Sequence, residues 1–271
     1  MDQGKVRADT PIQTAPGRLS IGPATISDTH PHELLSVAQV IQKSSNVGSA
    51  KIALMMQPSE MWEMFVAAGF GAPLRLGFPG EAKGHVRPAA SWRPIEQATM
   101  SYGHGISVTL VQLAHAYLAF ARDGDLLPLS LIRRDAPPDD SRRLFSAATA
   151  RQVREMMEMA VQTGGTAPKA RIPGYRVAGK TGTARKIEDG RYVRKYVASF
   201  AGFAPVSAPR LVIAVMVDEP SNGKYYGGEV AAPVFAEVMA GSLRALGVAP
   251  DAPLTPLAPV LMAGAAAGEE M

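Results

Sequence analysis

The chain has 271 residues, 46% hydrophobic and 19% charged, enough to bury the core of one large domain or two small ones. Its net charge of +4 is scattered, and the basic cluster at 191–195 alternates with Tyr192 and Val193 like one face of a strand, which argues against a nucleic-acid binder. The lack of cysteine excludes disulfides, thiolate metal sites and cysteine nucleophiles, and no run reaches the roughly 18 apolar residues of a membrane span.

Residues 1–33 are rich in Pro, Gly and Thr, with short β-like pieces at 18–21 and 24–26. They offer no helix or long strand on which a core could start, and read as the middle of a domain. From Ser36 onward Val37, Val40, Ile41 and then Ile52, Leu54 and Met55 recur at helical spacing, with a break expected over 44–49. A further helix is predicted over 59–68, ended by Gly69, followed by an extended loop over 69–95. The run 107–122 is apolar around most of its circumference, which predicts a helix buried between layers. An amphipathic helix over 146–162 begins on Ser146 and stops before Gly164-Gly165.

Beyond that point the period becomes two. Strands are predicted over 175–178, 191–204 and 211–217, with Glu188-Asp189-Gly190 as the hairpin turn between the first two. A helix over 232–246 carries Pro233 in its first turn. Residues 247–271 are Pro, Ala and Gly without an aromatic, and a disordered tail is expected there. The sum is helices, an antiparallel sheet and a closing helix, one α/β (α+β) domain over 1–246.

Two short motifs carry chemistry: Ser44-Ser45-Asn46, at the break between helical runs, and Lys180-Thr181-Gly182-Thr183, after a short apolar strand. An acyl-transfer site needs a group that passes protons to the leaving amine, a cation for an anionic substrate, and backbone donors at the oxyanion. A hydroxyl and an amide on a helix corner supply the first and some substrate hydrogen bonding. A lysine on an edge strand, followed by residues such as Gly182 that let a substrate backbone approach, supplies the rest. Alone, the first triplet is an ordinary helix cap and the second an ordinary turn.

Rival readings fail on context. Residues 174–181 satisfy G-x-x-x-x-G-K-[ST], the phosphate-binding loop of nucleotide enzymes, and 211–218 imitate an apolar strand ending in a magnesium-binding Asp. Yet Arg171-Ile172-Pro173 precedes the first glycine where a buried strand belongs, and a hairpin follows the lysine where a helix must aim its dipole at phosphate. Ser221-Asn222-Gly223-Lys224 matches the Ser-x-x-Lys nucleophile pattern, but its Gly and the preceding Pro220 mark a loop that cannot hold the two side chains one helical turn apart. The histidines do not pair at metal-ligand spacing, so no metal and no cofactor are expected.

Together the stretches Thr14-Ala15-Pro16-Gly17, 41–48 (around Lys43-Ser44-Ser45-Asn46), 92–103 (Trp92 to Gly103), 177–184 (around Lys180-Thr181-Gly182-Thr183) and Tyr225-Tyr226-Gly227-Gly228 resemble the division-specific class B penicillin-binding proteins, the FtsI-type septal transpeptidases. The resemblance runs from about residue 3 to about residue 245. It implies a penicillin-binding, serine β-lactamase-like fold with a mostly antiparallel sheet between helical layers. It further implies a D-alanyl-D-alanine transpeptidase that cross-links peptidoglycan at the periplasmic face of the inner membrane, takes stem peptides and β-lactams, and works with division partners. Carried across, Ser44 relays a proton to the leaving amine, Asn46 bonds the donor peptide, and Lys180 orients Ser44 and attracts the substrate. Thr181 and Thr183 hold the terminal carboxylate, with the Thr183 N–H at the oxyanion.

In that family the Ser-x-x-Lys helix precedes the second motif by roughly fifty residues, which would place it upstream of Met1. The nucleophile, its lysine base and any anchor are therefore expected outside this chain, which should not turn over by itself. The alternative implied by the same absence is a non-catalytic protein that binds peptidoglycan stems or division partners.

Overall fold

The computed structural model describes residues 1–136 and 140–253. The chain opens on small antiparallel ribbons. Strand β1 (Pro11–Gln13) pairs with β4 (Leu34–Ser36), and between them β2 (Arg18–Ile21) pairs with β3 (Ala24–Ser27). Helix α1 (Val37–Lys43) follows on a capping box, in which the Ser36 hydroxyl takes the Gln39 N–H and the Gln39 side chain takes the Ser36 N–H. Helix α2 (Asn46–Ala53) starts after only two residues. The expected break over 44–49 is thus confined to Ser44-Ser45, because the Ser45 hydroxyl caps Gly48 N–H and allows the helix to begin at once.

Helix α3 (Pro58–Ala67) agrees with the predicted element, and Gly69 ends it at a positive φ of 90°. The stretch expected as loop over 69–95 is mostly that, stapled by Gln112, whose side-chain amide donates to the Gly69, Ala72 and Lys83 carbonyls. Its end is not loop: α4 (Pro94–Met100) begins there, with Pro94 in the first turn and Glu96 accepting from Arg93 N–H. Helix α5 (Leu110–Ala121) is shorter than predicted, since Thr109 caps it. It is also less enclosed: Gln112, His115 and Ala119 are buried, while Leu110 and Val111 at its start are exposed.

Strands β5 (Asp125–Leu126) and β6 (Arg142–Arg143) form a small ribbon before α6 (Ala147–Val161), capped by Ser146 as expected. The main sheet has the order β7 (Ala178–Glu188), β8 (Arg191–Ala204), β9 (Leu211–Asp218), antiparallel throughout, with β7 on an edge. Phe200 and Phe203, three apart on β8, point to opposite faces. Phe200 packs edge-on against Phe235 of α7 (Gly227–Ala245), with Leu211, Ile213 and Val215 beside it. Phe203 packs with Met157 of α6 and with Tyr117 and Phe120 of α5. The sheet is therefore sandwiched, with α7 on one side and α5 and α6 on the other.

Three further expectations are corrected. The predicted strand over 175–178 is in fact the approach to β7, so Lys180-Thr181-Gly182-Thr183 lies inside a strand rather than after one. Helix α7 starts at Gly227, which puts Pro233 at its seventh position instead of in the first turn. Residues 247–253 are tied down, where a disordered tail was expected: Tyr175 donates to the Val248 carbonyl over 2.6 Å, and the Asp251 carboxylate accepts from Arg176 N–H and from Ser207. The remainder of that expected tail, 254–271, lies outside the described residues. Among the described residues no helix is long and apolar enough to cross a membrane.

Candidate active site

The corner between α1 and α2 is fixed from three directions. Val40 of α1 packs with Met156 of α6, and Val47 and Ala50 of α2 pack with Ile26 of β3 and Ala98 of α4. The third anchor is Asp28, just past β3, whose carboxylate accepts from the Ser45 hydroxyl at 2.7 Å and from Val47 N–H at 2.9 Å. The neighbouring Ser27 carbonyl accepts from the Asn46 side-chain amide at 3.0 Å, which leaves the Asn46 carbonyl oxygen for another donor.

Ser44 stands at the tip of this corner and is exposed. It closes α1 in the left-handed region, φ 56° and ψ 46°, while Ser45 N–H reaches back to the Val40 carbonyl. For a residue with a Cβ that conformation costs about 1–2 kcal/mol, a strain that recurs where a side chain must be aimed. Here it aims the hydroxyl at β7.

Lys180, on the face of β7 turned toward α1, donates from Nζ to Ser44 Oγ at 2.7 Å and to the Thr181 carbonyl at 3.2 Å. No carboxylate pairs with it among the described residues, and its protein partners are the neutral oxygens of Ser44 and Thr181. Burial pushes its pKa down to about 8. Roughly one lysine in ten is then neutral at pH 7, which lets it hold an anion and exchange a proton with a neighbouring hydroxyl.

Thr181 and Thr183 reach toward the start of α7 and the loop carrying Thr166, while the Thr181 hydroxyl also lies 3.4 Å from Lys180 Nζ. The Thr181 hydroxyl lies 3.1 Å from that of Thr166, and the Thr183 hydroxyl accepts from Gly227 N–H at 3.0 Å. This explains the paired glycines before α7. A Cβ on Gly227 would collide with the Ser199 and Gly182 carbonyl oxygens, and one on Gly228 with the Thr166 carbonyl. Only glycine lets the helix end sit directly on the strand. Tyr196 and Tyr225 stack nearby with ring centroids 4.1 Å apart.

The structure thus brings Ser44 and Lys180 into contact, with Asn46 two residues beyond Ser44 at the start of α2 and Thr181, Gly182 and Thr183 continuing β7 past Lys180. Residues 174–181 form no phosphate loop, since β7 continues through Thr181 to Glu188. Ser221 to Lys224 run through a loop with Gly223 at φ 78°. Sequence reasoning missed Asp28 and Thr166. A capping signal for Ser45 was readable, but the partner of its hydroxyl lies 17 residues away and left no local trace.

An antiparallel sheet between helical layers, with a lysine on its edge strand meeting a serine on a helix corner, makes this an α+β domain with one lysine–serine pair at the margin of its sheet. The family model for the penicillin binding protein transpeptidase domain matches residues 1–240, and the chain belongs to this family, as a transpeptidase domain of the class B type. The probable peptidoglycan D,D-transpeptidase PenA of Neisseria flavescens is 46% identical over 261 residues, 96% of this chain and 64% of that protein. Peptidoglycan D,D-transpeptidase FtsI of Escherichia coli is 42% identical over 253 residues, 93% of this chain and 42% of that protein. The chain therefore spans less than two thirds of the length of these relatives. The apo transpeptidase domain of Burkholderia pseudomallei penicillin-binding protein 3 superposes with a TM-score of 0.89 at 49% identity, covering 93% of this chain and 77% of that one.

Proposed function

We propose that residues 1–246 supply the proton-relay and carboxylate-binding part of a peptidoglycan D,D-transpeptidase site used in septal wall synthesis. The observation that carries this reading is the half-buried Lys180 ammonium, without an acidic partner among the described residues, 2.7 Å from Ser44 Oγ. A desolvated cation with spare capacity attracts a carboxylate, and the D-alanyl-D-alanine terminus presents one beside the amide to be broken.

In this mechanism the terminal carboxylate lies along Thr181 and Thr183, within the field of Lys180. Gly182 lets the peptide backbone approach the strand, and the free Asn46 carbonyl oxygen accepts an N–H from the donor stem. As the peptide bond breaks, Ser44 gives its proton to the departing D-alanine amine and is reprotonated through Lys180. The Thr183 N–H stabilises the oxyanion. A β-lactam meets the same groups through its carboxylate and strained amide. The serine nucleophile comes from outside these residues, because their single Ser-x-x-Lys match is the loop at 221–224. The reaction belongs at the outer face of the inner membrane, where division partners and the growing wall meet.

Taken alone, the 271 residues are expected to bind without being acylated. Isothermal titration with an N-acyl-D-alanyl-D-alanine peptide should show saturable binding that Lys180→Ala abolishes and that the L,L-isomer lacks. Fluorescent penicillin should leave no covalent label. Absent peptide binding, or equal binding of both isomers, removes this reading.

A further inference from the structure

We infer that Lys43 is a positioning residue for this site: by tying the end of α1 to the 163–166 loop it keeps Ser44 within hydrogen-bonding reach of Lys180. The inference rests on the reading of Ser44 and Lys180 as one site.

Lys43 is the last residue of α1, directly before Ser44. A lysine at a helix end ordinarily faces water or its own last carbonyls. Here Nζ donates to the Gly164 carbonyl at 2.8 Å, 121 residues further along the chain. Gly164 turns the chain out of α6 at φ 84°, and two residues later the Thr166 hydroxyl meets that of Thr181 at 3.1 Å. The contacts close a ring. It runs from Ser44 to its neighbour Lys43, across to Gly164, along to Thr166, across to Thr181, to its neighbour Lys180, and back to Ser44.

A second link adds to the hold on Ser44 itself. Ser44 is exposed and strained, and its bond to the Lys180 ammonium contributes about 1.5–3 kcal/mol, much of it offset by the cost of the left-handed backbone. That bond steadies the tip only in part, above a corner that packing and Asp28 already fix at its base. The Lys43 link works in parallel with it and anchors α1 to the loop that also touches Thr181. A ligand displacing the Thr166–Thr181 contact would thereby act on the position of Ser44.

The test follows the titration of the Lys180 side chain by NMR of lysine-labelled protein, in 0.5 M salt so that loss of the Lys43 charge is itself screened. Lys43→Met removes the donor. Lys43→Gln, one bond too short to reach Gly164, serves if the first variant folds poorly, and Lys43→Arg restores a long donor. With the link gone, water reaches Lys180, and its midpoint should rise by about half a unit or more in the Met and Gln variants. Lys43→Arg should keep the wild-type midpoint. An unchanged midpoint in the Met and Gln variants, even with a lowered melting temperature, makes the bond merely structural and overturns the inference. Failure of wild-type protein to bind the peptide would instead remove the proposed function, while the midpoint comparison still decides the role of Lys43.

Discussion

Lys180 and Ser44 are 136 residues apart in sequence and 2.7 Å apart in space, joined by a hydrogen bond between an ammonium that burial discourages and a hydroxyl held on a strained helix tip. Each is an unfavourable arrangement by itself. Together they form a cation and a proton carrier aimed at one point, and several consequences can be measured.

The first is pH dependence. The Lys180 pKa of about 8 in the folded protein lies below its unfolded value of 10.5, so between these pH values the unfolded chain binds more protons. Stability gains a contribution that grows as pH rises from 8 to 10.5, and the full cost of the buried charge is present below 8. Peptide binding runs in the opposite direction because it needs the protonated lysine. Affinity should fall roughly tenfold between pH 7 and pH 9, by titration calorimetry in matched ionic strength. A flat profile would mean that Lys180 does not face the carboxylate.

Lys180→Met should separate stability from binding. The substitution removes a desolvated charge that has no acidic partner among the described residues and leaves Ser44 free to bond water. Allowing for the partial exposure of Lys180, we expect the melting temperature to rise, by on the order of 1 kcal/mol in stability, while peptide affinity is lost. Thermal unfolding followed by circular dichroism measures the first, and calorimetry the second.

Asp28→Ala leaves the Ser45 hydroxyl and the Val47 N–H without their acceptor at the start of α2. The expected loss is about 1–3 kcal/mol in urea unfolding. Asp28→Asn, which retains one acceptor oxygen, should lose less. Equal losses would show that the corner is held by packing rather than by the carboxylate.

Gly227→Ala drives a methyl group into the Ser199 and Gly182 carbonyls and should push the start of α7 away from β7. We expect about 2–3 kcal/mol of destabilisation and weakened peptide binding, since Thr183 loses the Gly227 N–H. An alanine variant with wild-type stability would show that the helix end is less closely seated than described.

Much of this was legible in the sequence. Ser146, Gly69 and the alternation along 191–204 and 211–217 carry local signals, and their elements fall within a few residues of where the pattern places them. Helix α4 escaped notice because its start, Arg93-Pro94-Ile95-Glu96, signals by capping while the preceding prolines and glycines read as loop. The lysine was read on an edge strand, but the continuation of β7 past it to Glu188 was hidden by Gly182, a residue of low strand propensity held in the sheet by pairing with Ser199. Both motifs, Ser44-Ser45-Asn46 and Lys180-Thr181-Gly182-Thr183, were recognisable as residue types in a known arrangement. The groups that hold them, Asp28, Lys43 and Thr166, were not, because each acts across 15 to 121 residues and such pairings leave no periodicity.

Direct observation of the Lys180 ε-carbon by NMR, titrated with and without an N-acyl-D-alanyl-D-alanine peptide, reads both the burial of the ammonium and the ligand it faces. We predict a midpoint near 8 in the free protein, moving upward when the peptide carboxylate arrives. A midpoint at the ordinary lysine value of 10.5, unmoved by saturating peptide, would contradict a shared Ser44–Lys180 cleft.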